Sequence, residues 1–365
     1  LKILDKYIVK NFLGTFFFMV LILTSIAIII DFTQKLDRID STGSTVTEAL
    51  IHFYPYWGVW IVNTFLPVAV FISVIYFTSR LTAQTEIVGM LSGGISFYRL
   101  TRPYVIVAAG LAFTAMMVNN VVLPWANIKK NKYQYEHLLS MRARKEYYKQ
   151  QVISAQISSN EYVFVESYDR IEKRSDSYFL YQKFDSVQLK EQIMASSFTW
   201  DDKDSSYILQ NVFERKVLSP KKDSIAYLSS KKIKLKATPD EILPEGYVAE
   251  TMNSFELMKF IESQKNKGSA NVVVYENELQ QRVSSPFSTF ILTILALSLS
   301  SKKRRGGIGV NLAVGITLAF VYIFFSQIAT TFSEQGYVTP FVAAWIPNVV
   351  FGLLTTFLYF RRAQS

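Results

Sequence analysis

Six apolar runs, each long enough or nearly long enough to cross a bilayer, constrain this chain more than any other feature: Phe12 to Ile30, Tyr56 to Thr78, Tyr104 to Leu123, Pro286 to Ser300, Ile308 to Phe332 and Phe341 to Phe360. A helix needs about 20 apolar residues to span the hydrocarbon core, because lipid offers its backbone no hydrogen-bond partners. The fourth run is short, so its helix is expected to start earlier, near Asn277. The first run is too long for the core of a cleaved signal peptide, and Asp31-Phe32-Thr33 is a poor cleavage site, so it reads as a retained helix.

Basic residues in the short connections orient the runs. With the start of the chain in the cytoplasm, the inner segments hold Lys2, Lys6 and Lys10; Arg80, Arg99 and Arg102; Lys302, Lys303, Arg304 and Arg305; and Arg361 and Arg362. The opposite connections are poorer in bases: Lys35 and Arg38 lie among Asp31, Asp37, Asp40 and Glu48, and Ser333 to Pro340 has none. The polar middle of the chain is then expected outside the cytoplasm. Much of the positive charge behind the formal +10 sits at the ends of the apolar runs, which argues for membrane topology over nucleic-acid binding.

That middle reads as a separate β-rich domain. Residues 150 to 237 carry short aromatic and β-branched runs such as Tyr162 to Val165, Tyr178 to Tyr181 and Ile233 to Leu235, with a turn cluster at Asp201 to Ser205. Many short strands without intervening helices suggest an antiparallel sandwich or roll. Pro239 and Pro244 break the pattern, and an amphipathic helix is expected over 254–267, with Phe255, Met258 and Ile261 as its apolar face and Gly268 ending it. The fold class is therefore an α-helical membrane protein with six transmembrane helices in a 3+3 order and an inserted, β-rich extracytoplasmic domain. Its segments are 1–123, 124–276 and 277–365. The β domain reads either as a spacer or assembly surface, or as a trough that passes acyl chains onward.

Catalytic signatures are missing from the sequence. It has no Cys, which excludes disulfides and thiolate chemistry, and two His, His52 and His137, without a ligand at metal-binding spacing. It contains neither a G-x-S-x-G elbow nor a phosphate-binding G-x-x-x-x-G-K-[ST] loop; Gly306-Gly307-Ile308-Gly309 follows four bases without a preceding strand and reads as a turn. No ATPase site, catalytic residues, metal or cofactor are therefore expected in this chain, and if it moves anything uphill another subunit must supply the energy.

Two segments invite a functional reading. Between spans two and three, over 81–96, Ile87, Met90, Leu91 and Ile95 recur at helical spacing, Glu86 stands at a helix start, and Gly89, Gly93 and Gly94 leave little bulk. Such a helix either docks into a partner's groove or rests on lipid headgroups. At the outer end of span one, Asp31 either faces a polar partner or lies at headgroup level. Lys35 and Arg38 either meet headgroup phosphates or pair with Asp31 and Asp37. Pro67 and Pro347 are expected to kink spans two and six.

In order and spacing the chain resembles the LptF/LptG permeases over nearly its whole length. The resemblance rests on Leu4-Asp5-Lys6-Tyr7-Ile8, Phe65-Leu66-Pro67, Thr85-Glu86-Ile87 through Gly93-Gly94-Ile95, Met252 to Gly268, Arg282 with Pro286, and Ile346-Pro347. It implies a jellyroll-like periplasmic domain and a bacterial inner-membrane location, in which two such subunits enclose a lipid cavity. By the same resemblance lipopolysaccharide would enter past spans one and five and leave through the β domains towards the jellyroll proteins LptC and LptA. The resemblance also implies an LptB-like ATPase dimer that would bind the coupling helix through Glu86, Ile87, Met90 and Leu91. The resemblance makes Asp31, Lys35, Arg38, Phe65, Val70, Ile316 and Phe320 the substrate-contact candidates. The opening residues and the end of span one lean towards LptG over LptF, although some LptG proteins carry Lys where this chain has Asp31. Permeases of the FtsX/MacB type place their large outer domain after the first span, whereas here it follows the third.

Overall fold

The computed structural model describes residues 3–139, 149–169, 172–219, 222–235, 237–239, 248–267, 271–302 and 307–364. Among them, six helices are long and apolar enough to cross a membrane. The chain divides into two units. The first comprises Leu1–Tyr133, Glu250–Leu257 and Val273–Ser365, and the second Gln134–Ala249 and Met258–Val272.

The helical unit opens with α1 (Ile3–Ser41), 39 residues without a proline and so about 58 Å long by the ordinary helical rise. Three of its polar side chains are satisfied within the helix, Asn11 donating to the Tyr7 carbonyl, Thr15 to that of Asn11 and Thr33 to that of Ile29, as an apolar solvent demands. Asp31 thus lies inside a continuing helix, not at its end, which corrects the expected boundary. A capping box formed by Thr45 and Glu48 starts α2 (Val46–His52), which carries His52 at its end. Then come α3 (Tyr54–Ala83), α4 (Glu86–Ser92) and α5 (Phe97–Met117). The helical segment expected over 81–96 is therefore shorter, since Leu81 to Ala83 complete α3.

Beyond α5, helix continues through a π segment, Val118–Val122, into α6 (Leu123–Tyr133) and a second π segment, Gln134–Leu138. The expected soluble stretch after residue 123 therefore begins as helix. Hydropathy falls there because Lys129, Lys130 and Lys132 decorate the helix, not because it stops. The short α7 (Val248–Thr251) leads to α8 (Ser254–Asn266), and α9 (Val272–Ser300) begins earlier than the expected Asn277. The last two spans are α10 (Gly307–Glu334) and α11 (Pro340–Ala363). Lys303, Arg304, Arg305, Gly306, Pro244 and Gly268 lie outside the described residues.

The apolar core joins Ile8, Phe12 and Phe16 of α1 to Phe71, Val74 and Ile75 of α3, Tyr104 of α5 and Leu292, Leu295 and Ala296 of α9. Burial is uneven: the most apolar window of α9 is 61% buried and that of α1 only 6%. The fourth span is thus the centre of the bundle, while α1 presents apolar side chains such as Phe17, Phe18 and Leu21 outward for lipid or another protein to cover. Polar pairs bridge the spans: Asn311 donates to Ser79 at 3.0 Å, Asn63 to Asn119 at 2.7 Å, and Asn348 to the Ser284 carbonyl at 3.0 Å. At Gly315 the fit is closest, for a β-carbon there would lie 2.2 Å from Ile75 Cδ1.

The second unit holds an eight-stranded antiparallel sheet. Its strands are β1 (Lys149–Ser158), β2 (Glu161–Asp169), β3 (Arg174–Ser175), β4 (Phe179–Asp185), β5 (Gln188–Ala195), β6 (Ser197–Asp201), β7 (Ser206–Ser219) and β8 (Lys222–Ile233). Pairing runs from β2 through β4, β5, β7, β6 and β3 back to β2, closing a ring, with β1 added to β2 and β8 to β7. This is the roll expected from the strand pattern, though Lys234 and Leu235 fall beyond the last strand. Alternation drives it. Val163, Val165, Phe179, Tyr181, Tyr207 and Leu209 turn inward, and Phe198 packs 5.4 Å from both Phe179 and Tyr207, ring centre to ring centre.

The apolar face expected on α8 is corrected. Phe255 and Met258 are 63% and 49% exposed, while Leu257, Ile261 and Gln264 are buried. Both sets fit a helical period, and only the surroundings choose between them.

One pH effect follows from the sheet. Glu214, buried on β7, receives Lys216 at 2.6 Å and also Lys231. The hydrogen bond from Lys216, then that from Lys231, holds its carboxyl below the ordinary value of 4.5. A depressed folded value contributes stability above the unfolded value and loses it as pH falls through the folded one. Glu214→Gln is therefore expected to flatten the acid-side decline in thermal midpoint below about pH 4.5, and an unchanged acid limb would contradict the assignment.

Candidate functional site

The first feature of interest is an apolar cavity of about 490 Å³ on the helical unit, bounded by α1, α3 and α10. Leu23, Ala27, Phe65, Ile316 and Phe320 are among its lining. On each helix the lining residues share a face, Leu23 with Ala27 on α1 and Ile316 with Phe320 on α10, because i and i+4 positions stack on one side. Polar groups gather towards the Asp31 and Gln34 end of α1, where Trp57 also lines the cavity. A mostly apolar hollow with a few convergent polar groups suits a ligand with an apolar body and a polar head.

Asp31 and Lys35 meet in this region. Asp31 Oδ1 lies 2.9 Å from Lys35 Nζ, one helical turn on, and Tyr54 donates its hydroxyl to Oδ2 at 3.1 Å. The ammonium also sits 4.6 Å from the centre of the Phe53 ring, a cation–π contact. Of the two pairings open in the sequence, Lys35 takes the one with Asp31, which offsets both charges in a partly buried setting. Arg38 is exposed, one turn beyond Lys35.

Phe65, Ile316, Phe320 and Asp31 thus share the cavity, but Val70 does not. Its side chain is fully buried in the bundle core, and its neighbours Val68, Ala69 and Ile72 line the wall instead. The sequence showed an apolar helix without showing which way it was turned. Trp57, Gln34 and Tyr54 were missed as members of the site. The usable signal was the spacing of Asp31 and Gln34 along one helix face.

The second feature is α4. Its leading residue Thr85 has φ +63° and Gly94 beyond its end has φ +86°, so two left-handed turns set the short helix off from its neighbours. Glu86 accepts a hydrogen bond from the Tyr7 hydroxyl at 2.9 Å. Ile87 is corrected as a docking residue because it is fully buried in the chain's own core, with Met90 and Leu91 packed partly against it. Val88, Gly89, Ser92 and Gly93 are exposed instead, a low-relief face beside Glu86. Among the described residues no cluster of metal ligands occurs.

Six apolar helices in 3+3 order with an antiparallel β insertion, a cavity between helices and a short helix linking spans two and three define a multi-pass membrane protein built on a permease plan. Residues 6–361 match the lipopolysaccharide export system permease family LptF/LptG, and the chain belongs to that family. Its relatives include the lipopolysaccharide export system permease protein LptG of Escherichia coli strain K12, 22% identical over 364 residues and 99% of each chain. The LptG protein of Haemophilus influenzae strain Rd is 21% identical over 370 residues and 98% of each chain. The leaning towards LptG agrees with these relatives.

Proposed function

We propose that this chain is the permease subunit of an ABC transporter that takes lipopolysaccharide out of the inner membrane, driven by ATP hydrolysis in an LptB-like dimer. A second LptF- or LptG-like permease completes the cavity, and LptC and LptA receive the lipid outside. The observation that carries this reading is the apolar cavity with its polar end at Asp31 and Gln34, which suits a lipid with acyl chains and a charged head. The exposed apolar faces of α1 and α10, with Phe17, Leu21, Phe320 and Phe324, support a second subunit or lipid beside them. Basic residues at Lys6, Lys10, Arg80, Arg102, Lys302 and Arg361 support a cytoplasmic side for α4 and a periplasmic β unit. The ATPase meets α4 through Glu86 and the exposed Val88, Gly89 and Ser92.

Purification from native membranes, with mass spectrometry of bound protein and lipid, tests the assignment. A nucleotide-binding subunit and lipopolysaccharide are expected; recovery of neither would overturn it. Glu86→Arg is expected to lower ATPase recovery by about tenfold or more, since a reversed charge at a docking surface turns attraction into repulsion. Undiminished recovery would remove Glu86 from that surface.

A further inference from the structure

The start of α1 grips both ends of the segment that carries the docking helix. Arg99, in the first turn of α5, forks onto Asp5: Nη1 donates to Oδ1 at 2.7 Å and Nη2 to Oδ2 at 2.8 Å. Asp5 is only 5% exposed. At the other end, Tyr7 donates to Glu86, the residue that opens α4, at 2.9 Å. Between these contacts Ile8 and Phe12 of α1 share a fully buried core with Ile87 of α4. A seven-residue helix has no stability of its own in solution, and α4 joins its neighbours through the turns at Thr85 and Gly94. Its position is therefore set by what it is tied to.

The same α1 continues without a proline to the cavity, where Leu23, Thr24, Ala27, Ile30, Asp31 and Gln34 form one wall. It is also the least buried span, whereas α9 is held on most sides. A displacement of α4 thus meets less resistance in α1 than in the centre of the bundle.

We propose that Asp5 and Arg99, assisted by Tyr7 and Glu86, are positioning residues that make α1 and α4 move as one body. Displacement of the docking helix by the ATPase then reaches the cavity wall directly. This rests on the reading of α4 as the ATPase-docking helix. The bidentate fork matters because two parallel hydrogen bonds resist rotation where a single ammonium contact does not.

The absence of Cys from the chain makes a direct measurement simple. A nitroxide attached through Val88→Cys, on the full chain in nanodiscs, is expected to be immobilised in the parent and clearly more mobile in Asp5→Asn. In the complex with the ATPase and second permease in proteoliposomes, Asp5→Asn is expected to keep ATP hydrolysis within about twofold while lipopolysaccharide released per ATP falls about tenfold, the size of an ordinary coupling between sites. Exchange of the charges, Asp5→Arg with Arg99→Asp, is expected to restore most of that ratio. Tyr7→Phe, which removes one hydroxyl from a partly exposed ring, should lower it about threefold without loss of assembly. An unchanged label spectrum together with an unchanged lipid-to-ATP ratio in both Asp5→Asn and Tyr7→Phe would overturn the proposal. So would a loss of assembly and hydrolysis in equal measure. A parent complex that releases no lipid with ATP would instead refute the transport function, and the label spectrum would still decide whether Asp5 holds α4.

Discussion

Ile316→Arg is expected to empty the apolar cavity of lipid, lowering bound lipopolysaccharide per complex by about a hundredfold, while the chain still folds. Ile316 lines the cavity together with Phe65 and Phe320 and is 40% exposed, so the longer side chain has room. The helix behind it cannot retreat to accommodate a charge, because the neighbouring Gly315 already packs against Ile75 with no space for a β-carbon. A guanidinium must then share the hollow with acyl chains. Placing Arg among hydrocarbon costs about 2.5–3.5 kcal/mol on the membrane-insertion scale, and 2.7 kcal/mol corresponds to roughly a hundredfold. Mass spectrometry of lipid bound to the purified complex measures the effect, with the thermal midpoint as the control on folding. Full lipid occupancy in a well-folded variant would show that the cavity is not where the lipid sits.

Arg282→Ala is expected to destabilise the helical unit by about 3 kcal/mol, the low end of the range for breaking a buried ion pair. Arg282 is 4% exposed. It donates to Glu278 Oε1 at 2.9 Å and to the Met252 carbonyl at 2.7 Å, joining α9 to the residues that follow α7. Removing it deprives a carbonyl of its donor and a carboxylate of its counter-ion. Glu278 is 28% exposed and recovers some hydration, which places the cost at the low end. Arg282→Met with Glu278→Leu should recover part of the loss, since a charge-free pair leaves no carboxylate unpaired. Thermal unfolding in detergent, compared at one scan rate because such proteins often unfold irreversibly, measures both. An Arg282→Ala midpoint equal to the parent's would contradict the structural role.

A neighbouring anchor works by similar chemistry. Lys130 on α6 reaches Glu250 at 3.3 Å and lies 4.7 Å from the centre of the Trp60 ring, while Asn127 donates to the Glu250 carbonyl at 3.0 Å. Within the helical unit, residues 250–252 are thus held by buried cations, Lys130 and Arg282, at two nearby points, Glu250 and Met252. Arg282, which the sequence marked through the family resemblance, becomes a tie between residues 30 apart in the chain.

The amino-acid sequence by itself determined the solvent of each part. Long apolar runs demand a bilayer, because lipid cannot satisfy a free backbone and a helix satisfies its own, and alternating aromatic residues over 150–237 demand strands with one buried face. These are local periodicities, so the six spans and the β insertion were legible, whereas Phe65, Ile316 and Phe320 of the cavity entered only through the family resemblance. Tertiary structure alone decided how each helix is turned and which distant polar groups meet. A uniformly apolar helix has no rotational signal, which is why Val70 faces the core instead of the cavity and Ile87 faces inward instead of towards a partner. Asp5 and Arg99 stand 94 residues apart, and no spacing rule connects them. Their pairing exists because packing of α1 against α5 buries Asp5 and partly covers Arg99, and a buried carboxylate is costly without its counter-ion.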